Sequence, residues 1–486
     1  MKKKIVLLQP KTGEWDFAGA RPPDSLLAIA ALPYKKGYEV KIIDQRIERN
    51  WKEILKKELK GALLFGTTSM TGPQIRYALQ ASRFVKENSK VPVVWGGVHA
   101  SLLPEQTIEN KYIDVVVKGE ADFAFFELIQ AIENKKNLDK VKGIYYKDKG
   151  KIKKTEEREL IKDLDVLEDY PYELIKIENY YGFNIGHGKS ITLMTSRGCP
   201  YRCAFCYNTV YYKNRWRGMS AKKTLHLIEN ALTKLGVKSI YFQDDNFSAN
   251  VKRFEEIIDG ILEKGWKFSW GLLGTRIDTL KRMPDELLEK AVKAGCIDID
   301  VGIESGSDRI LKLISKDVKI NEVIEVNKRL AKFFHKTKYT FIMGIPTETE
   351  KELLKTVRFS IKLSKDNPNL LPLFLIYCPY PGTKLYEVAI KNGFYEPKNL
   401  EEWANINYET AYLHSPWLGK KRIKMLRNFE FASLFASKNN DYKINSKLFK
   451  VLADIYRPFA KLRFEKNIYQ FPIDRILARE LSSRIG

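Results

Sequence analysis

The chain has 486 residues, 44% hydrophobic and 30% charged, with 84 lysines and arginines against 60 aspartates and glutamates and a formal charge of +24. That length calls for two to four domains rather than one core. No eighteen-residue apolar run occurs, which excludes a conventional spanning helix, and five scattered or clustered cysteines do not make a disulfide scaffold. The start, Met1 to Leu8, lacks the long apolar core and cleavage site of a secretory signal, so a cytoplasmic chain in a reducing compartment is expected. The charge suits nucleic acid or an anionic membrane surface, and equally a Lys-rich proteome or a high-temperature organism.

Residues 1–145 alternate short apolar runs with helical patterns. Lys4 to Leu8, Tyr38 to Ile43, Ala62 to Phe65, Val91 to Trp95 and Ile113 to Val117 read as five strands joined by crossover helices, a doubly wound parallel sheet. Ligands of such sheets sit beyond the carboxyl ends of the strands. Those places hold Gln9-Pro10, Gly66-Thr67-Thr68-Ser69 and Gly96-Gly97-Val98-His99. Glycine lets a large planar or nucleotide-like ligand approach the backbone, and the hydroxyls offer hydrogen bonds; ordinary turn glycine is the plainer reading. Thr68, Ser69, Gly96 and Gly97 are the candidate binding residues of this segment.

Taken together, Pro22 to Ala31, Gly37 to Asp44, Gly96 to Ser101 and Gly119 to Asp122 resemble the cobalamin-binding domain that precedes the catalytic domain in one class of radical SAM enzymes. Many cobalamin proteins of this fold carry Asp-x-His-x-x-Gly after the first strand. Gln9 to Glu14 has no histidine, so the resemblance implies a cobalt whose lower face has no protein His ligand, or a domain that has lost the cofactor.

Residues 146–186 are mixed in charge and irregular, with Asp148 to Lys154 a hairpin or loop, and read as a linker. Strand and helix alternation restarts at Ser190. Behind that strand, Cys199, Cys203 and Cys206 lie within eight residues. Three thiolates on one loop suit three irons of a cubane and leave a fourth iron open; zinc, which normally takes four protein ligands, and buried thiols are the alternatives. The Cys-x3-Cys-x2-Cys spacing, with Phe205 before the third cysteine and Ser196-Arg197-Gly198 ahead of the loop, resembles the radical SAM superfamily closely. The resemblance implies a [4Fe-4S] cluster on the three cysteines, S-adenosylmethionine on the open iron, and a 5′-deoxyadenosyl radical after one-electron cleavage.

The same resemblance assigns further residues. Lys238 to Phe247 ends a strand in Asp244-Asp245-Asn246, where a carboxylate can meet the SAM ammonium, although an Asp-rich turn would look alike. Arg276 ends the next strand and is expected on the active face or the surface. In Cys296 to Ser307, Glu304 falls at a strand's end, where relatives bond the ribose hydroxyls. Two more strands, Lys338 to Glu348 and Leu371 to Thr383, complete a (β/α)6 partial barrel over residues 187–400. Cys296 and Cys378 stand alone and are expected to be buried structural thiols.

Residues 401–486 form a basic helical region; from Trp417 onward sixteen Lys/Arg face six Asp/Glu. Apolar residues from Phe429 to Phe459 recur at helical spacing, which suits core packing, a lid over the barrel, or peripheral contact with a membrane. No RNA-binding motif is visible, so nucleic acid is the disfavoured partner. The expected function is a cobalamin-dependent radical SAM enzyme that abstracts hydrogen from an unactivated carbon and forms a C–C bond by methylation, cyclisation or cross-linking. The expected substrate is a membrane lipid or isoprenoid chain, and the expected electron source is an external ferredoxin or flavodoxin type donor. A tetrapyrrole or natural product is the alternative substrate. RNA or protein methylthiolation would need a second cluster, and residues 1–198 contain no cysteine.

Overall fold

A computed structural model describes residues 3–13, 20–181, 188–407, 410–436, 447–466 and 468. Strands β1 (Lys4–Gln9), β2 (Glu39–Asp44), β3 (Ala62–Thr68), β4 (Val93–Gly96) and β5 (Val115–Val117) are parallel, with helices in each crossover. Each strand is a run of branched apolar residues because both of its faces are covered by helices. Ile5, Leu7 and Leu64 pack on one face, while Val6, Leu8 and Phe65 pack on the other.

The sheet does not stop at residue 145. Two antiparallel strands, β6 (Ile144–Asp148) and β7 (Lys151–Lys154), extend it to the order β2-β1-β3-β4-β5-β6-β7. Ile144, Tyr145 and Tyr146 are buried and draw this hairpin onto the edge, so the expected domain end at 145 falls inside β6. The expected boundary residues 186 and 187 lie outside the described residues.

A second parallel sheet carries β8 (Ser190–Leu193), β11 (Ser239–Phe242), β12 (Ser269–Arg276), β13 (Cys296–Glu304), β14 (Thr337–Met343) and β15 (Leu370–Ile376). Their order is β15-β14-β13-β12-β11-β8, and β8 and β15 do not pair, as an open (β/α)6 arrangement requires. Between β8 and β11 a short ladder joins β9 (Ser196–Arg197) to β10 (Arg217–Gly218). Ile240, Phe242, Trp270, Leu272, Ile299 and Val301 point outward into the helix layer, where Phe242, Phe247, Phe254 and Trp270 form an aromatic cluster. Among the alternate residues, Tyr241, Asp298 and Asp300 are polar and bonded to one another or to Lys338. Asp298 and Asp300 flank Lys338, at 2.7 and 3.8 Å, and the Tyr241 hydroxyl donates to Asp300 at 2.8 Å.

Charged groups tie the two sheets together at their carboxyl ends. Arg197 holds Asp122 through two hydrogen bonds of 2.7 and 2.8 Å, and Arg217 holds Glu120 at 2.8 Å. Tyr180 donates to Asp44 at 3.0 Å, and Tyr211 to the Gly119 carbonyl at 2.8 Å. Thr192 donates to Asp24 at 3.2 Å.

The C-terminal region divides in behaviour. Helix Lys420–Ala436 packs on the barrel: Phe429 is buried and lies edge-on to Phe374 with ring centres 4.4 Å apart. Helix Lys447–Lys466 is turned the other way, burying Ala460 and Arg463 while Val451, Ile455, Phe459 and Leu462 are 54%, 70%, 56% and 47% exposed. Residues 469–486 of the expected basic tail lie outside the described residues. Among the described residues no helix is long and apolar enough to cross a membrane.

Candidate active site

The cysteine loop is built from the strand ends around it. Gly198 opens it with φ +79, and a Cβ there would lie 2.1 Å from the Arg215 carbonyl, so only glycine fits. Asp245 clamps the loop: Oδ2 accepts from the Gly198 amide at 2.9 Å and Oδ1 from the Tyr207 hydroxyl at 3.1 Å. Asp244 clamps the strand before it, accepting from the Thr195 amide and hydroxyl and from the Ser196 hydroxyl at 3.1, 3.0 and 2.5 Å. Halfway along, the Ala204 amide donates to the Ile314 carbonyl, and its own carbonyl accepts from the Leu385 amide, both at 2.8 Å. The loop is therefore held by bonds to three separate barrel segments.

The three thiols share one environment. Burial pushes the Cys206 thiol up to about 12, reinforced by Cys203, Asp245 and Cys199, and burial likewise raises Cys199. The Cys199 and Cys206 thiols would give up their protons on meeting a metal, as soft ligands do. Among the described residues no three His, Cys, Asp or Glu side chains converge on a single-ion site. Ligands to three different irons need no such common point. Beside it, Asn246 approaches the Cys199 sulfur at 3.8 Å, and two buried acceptors, Asn246 Oδ1 and Asp244 Oδ2, have no partner. Burial raises Asp244 to about 6 despite Arg253 and its three donors. An unpartnered carboxylate oxygen there suits a cationic ligand group.

Arg276 and Glu304 close the other side. Arg276, 4% exposed, directs Nη1 to the Cys203 sulfur at 3.1 Å and Nε to Asp278 at 2.9 Å, and its guanidinium lies 3.8 Å over the Tyr201 ring. It is buried against the cysteine loop and does not lie on the surface. Glu304 ends β13 with φ +71, a left-handed backbone uncommon outside glycine. Its carboxylate is already engaged, 2.8 Å from the buried ammonium of Lys316. Lys316 in turn accepts from Arg276 through its backbone carbonyl and sits between Ser315 and Asp317, both at positive φ. Gly302 makes the room, since a Cβ there would lie 2.4 Å from Glu304 Oε1 and 2.7 Å from Lys316 Nζ.

The N-terminal candidates divide. Gly97 has φ +92, and a Cβ on it would meet Thr68 Oγ1 at 2.5 Å and the Ser69 backbone at 2.7 Å. Its smallness serves packing of the two loops against each other. Ser69 is fully buried and donates to the Gly96 carbonyl at 3.4 Å. Gly96 has open surroundings, with only the Val117 carbonyl near, at 3.8 Å. At the sheet's edge Gly96, with the buried Thr68 next to it, is the position that fits close approach of a large ligand. His99 turns away, its Nδ1 at 3.0 Å from the Thr71 hydroxyl and its ring edge-on to Trp403.

The structure thus brings Cys199, Cys203, Cys206, Asp244, Asp245, Arg276 and Glu304 around one loop, with Thr68 and Gly96 on the adjoining sheet end. Sequence reasoning missed Asn246, Lys316, Tyr201 and Arg197. Asn246, Tyr201 and Arg197 stood inside quoted motifs, whereas Lys316, a lysine in a lysine-rich chain, carried no signal.

Comparison with known proteins agrees with this geometry. A model of the Radical SAM superfamily matches residues 193–360 and a B12 binding domain model matches residues 17–129. An uncharacterized methyltransferase of Pyrococcus horikoshii is 33% identical over 410 residues, covering 83% of this chain and 87% of its own. A cytidylyl-2-hydroxyethylphosphonate methyltransferase of Streptomyces wedmorensis is 24% identical, covering 90% of each chain. The radical S-adenosylmethionine methyltransferase TsrM of Kitasatospora setae, with cobalamin and a [4Fe-4S] cluster bound, shares the fold at a TM-score of 0.68 and 16% identity, over 82% of this chain and 76% of that one. The chain belongs to the cobalamin-dependent radical SAM enzymes, methyl-transferring or C–C bond-forming catalysts whose cofactors are a [4Fe-4S] cluster, S-adenosylmethionine and cobalamin.

Proposed function

We propose that Cys199, Cys203 and Cys206 hold the cluster, that Asp244 Oδ2 and Asn246 Oδ1 receive the ammonium of SAM, and that Glu304 receives its ribose hydroxyls. Asp245 then acts as the clamp of the loop, and Arg276 balances the charge on Cys203. Thr68 and Gly96 border the cobalamin, with Ser69 and Gly97 shaping that edge from behind. When bound, the three cofactors supply one-electron cleavage of SAM and a transferable methyl group. The chain's own residues position them: Arg197 and Arg217 lock the cobalamin-side sheet onto the strand that leads into the cysteine loop. The observation that carries the reading is the loop itself, three thiols pinned by protein bonds with unpartnered buried acceptors beside them.

For the substrate we favour a hydrophobic lipid or isoprenoid chain methylated at an unactivated carbon, with the enzyme working at a membrane surface. The outward apolar stripe Val451, Ile455, Phe459 and Leu462, in a region rich in Lys and Arg, supports peripheral membrane contact. Serine at all three cysteines is expected to abolish both iron–sulfur absorption and SAM cleavage; retained cleavage overturns the assignment. Lipid extracts of a host with and without the gene are expected to differ by the mass of a methyl group, a ring or a cross-link. Unchanged lipids with an altered tetrapyrrole pool would move the substrate to the alternative class.

A further inference from the structure

A buried cation stands behind the site. Arg253, 6% exposed, lies in the first turn of helix Val251–Glu263, where both burial and the helix macrodipole disfavour a positive charge. Its guanidinium meets uncharged oxygens. Nε donates to the Met219 carbonyl at 2.5 Å and Nη1 to the Phe247 carbonyl at 3.4 Å. Nη2 donates to the Thr195 carbonyl at 3.1 Å, the Thr195 hydroxyl at 2.8 Å and the Thr224 hydroxyl at 3.0 Å. Among the described residues no carboxylate bonds it directly; Asp244, Asp165 and Glu256 act on it from a distance.

Thr195 lies between the cation and the candidate ligand-binding acid. Its hydroxyl is 2.8 Å from Arg253 Nη2 and 3.0 Å from Asp244 Oδ1. A guanidinium only donates, so the hydroxyl accepts from Arg253 and its single proton points to Asp244. The Thr195 amide at 3.1 Å and the Ser196 hydroxyl at 2.5 Å reach the same oxygen. All three donors therefore meet Oδ1, and Oδ2 is left buried without a partner. Burial raises the pKa of Asp244, and the charge of Arg253 is the largest of the effects that oppose it.

We infer that Arg253 is a positioning residue for the binding of S-adenosylmethionine: acting through the Thr195 hydroxyl, it fixes Asp244 with Oδ1 engaged and Oδ2 free for the ammonium. This rests on the assignment of Asp244 as the acceptor of that ammonium.

The test is a pair of double-mutant cycles on SAM affinity, read by equilibrium dialysis of the reconstituted full chain, with iron–sulfur absorbance reporting cluster uptake. Thr195→Val removes the hydroxyl at nearly constant shape and is expected to weaken SAM about fivefold, whereas Thr195→Ser keeps it and is expected to stay within about twofold of wild type. Arg253→Met is expected to weaken SAM about tenfold, and Arg253→Lys, which keeps the charge beside Thr195, about threefold. In the Asp244→Asn background each of these changes is expected to fall below about twofold, because the carboxylate through which they act is gone. Equal losses with and without Asp244→Asn assign Arg253 and Thr195 to general structure and overturn the inference. Wild-type affinity in Thr195→Val, or a loss in Thr195→Ser as large as in Thr195→Val, overturns it as well. Where Arg253→Met takes up no cluster, Arg253→Lys carries its cycle. Wild-type SAM affinity in Asp244→Asn would instead overturn the assignment of Asp244 itself.

Discussion

Replacing Arg197 by Met removes the main bond between the two sheets and leaves its partners in place. Arg197 and Asp122 are 11% and 10% exposed and joined by two hydrogen bonds, with Glu120 3.5 Å from the same nitrogen. Breaking a buried pair by deleting one member costs about 3–5 kcal/mol, because the other charge stays buried without compensation. Arg217 remains 2.8 Å from Glu120 and softens the loss, so about 3 kcal/mol is expected, a factor of about 100 in the unfolding equilibrium. The double variant Arg197→Met/Asp122→Asn removes the stranded charge and is expected to regain about 2 kcal/mol. Urea unfolding of the metal-free chain, followed by tryptophan fluorescence, measures both. The pH dependence has a fixed sign. Burial would raise Asp122, but the charge and hydrogen bonds of Arg197 outweigh it and its pKa is lowered below 3.8. The pair's contribution is then fully present above the unfolded value and is lost as pH falls through the lower, folded one. A single-variant cost below about 1 kcal/mol, or strict additivity in the double variant, would refute the claim that this pair carries the domain contact.

Lys316→Met leaves Glu304 buried without its cation, and SAM is expected to bind about tenfold more weakly while iron–sulfur absorption persists; an unchanged dissociation constant by equilibrium dialysis would remove Lys316 from the site. Gly97→Ala places a methyl against the Ser69 backbone in a left-handed position, so cobalamin occupancy after reconstitution should fall with Tm, and a variant with native Tm and full occupancy contradicts the packing. Burial raises Asp24 to about 7, so from pH 4 to 7 the unfolded chain releases a proton that the folded one keeps, and stability falls over that window. Asp24→Asn lacks this fall, and its Tm should overtake wild type between pH 4 and 7; parallel Tm profiles would sink the assignment.

Repetition made most of the fold legible. Runs such as Lys4 to Leu8 and Val91 to Trp95 are apolar on both faces, and only a sheet covered twice needs that pattern. A hairpin or loop was legible at Asp148 to Lys154, but its joining the sheet escaped because Tyr145 and Tyr146 look polar in a lysine-rich stretch, although both rings are buried. The site was legible where chemistry forces spacing, as in the three cysteines, and at strand ends, where Asp244, Asp245, Arg276 and Glu304 had to lie. It was illegible where a side chain serves another side chain across the fold. Nothing near Lys316 in sequence says that Glu304, twelve residues earlier, will need its ammonium. Gly97 shows the reverse: a glycine after a strand, expected to make room for a ligand, faces Thr68 and Ser69 with the space of its missing side chain.

The Asp244-Asp245-Asn246 run ties the cysteine loop to the strand before it. Alternation ends with β11 at Phe242, so three consecutive polar side chains take three directions instead of two. Asp244 turns to the strand before the loop, Asp245 to the loop's first amide and to Tyr207, and Asn246 to the Cys199 sulfur. Hydrogen bonds to a charged acceptor contribute about 1.5–3 kcal/mol each, so the two bonds of Asp245 offset about 3–6 kcal/mol of the entropy cost of ordering the loop. The cysteine loop is tied down by protein bonds, and one oxygen each of Asp244 and Asn246 stays buried without a partner beside it. Asp245→Ala should separate these roles. It frees the Gly198 amide and the Tyr207 hydroxyl, so cluster reconstitution slows several-fold, while SAM affinity of the reconstituted enzyme changes little; the opposite split would make Asp245 the SAM ligand and Asp244 the clamp alone.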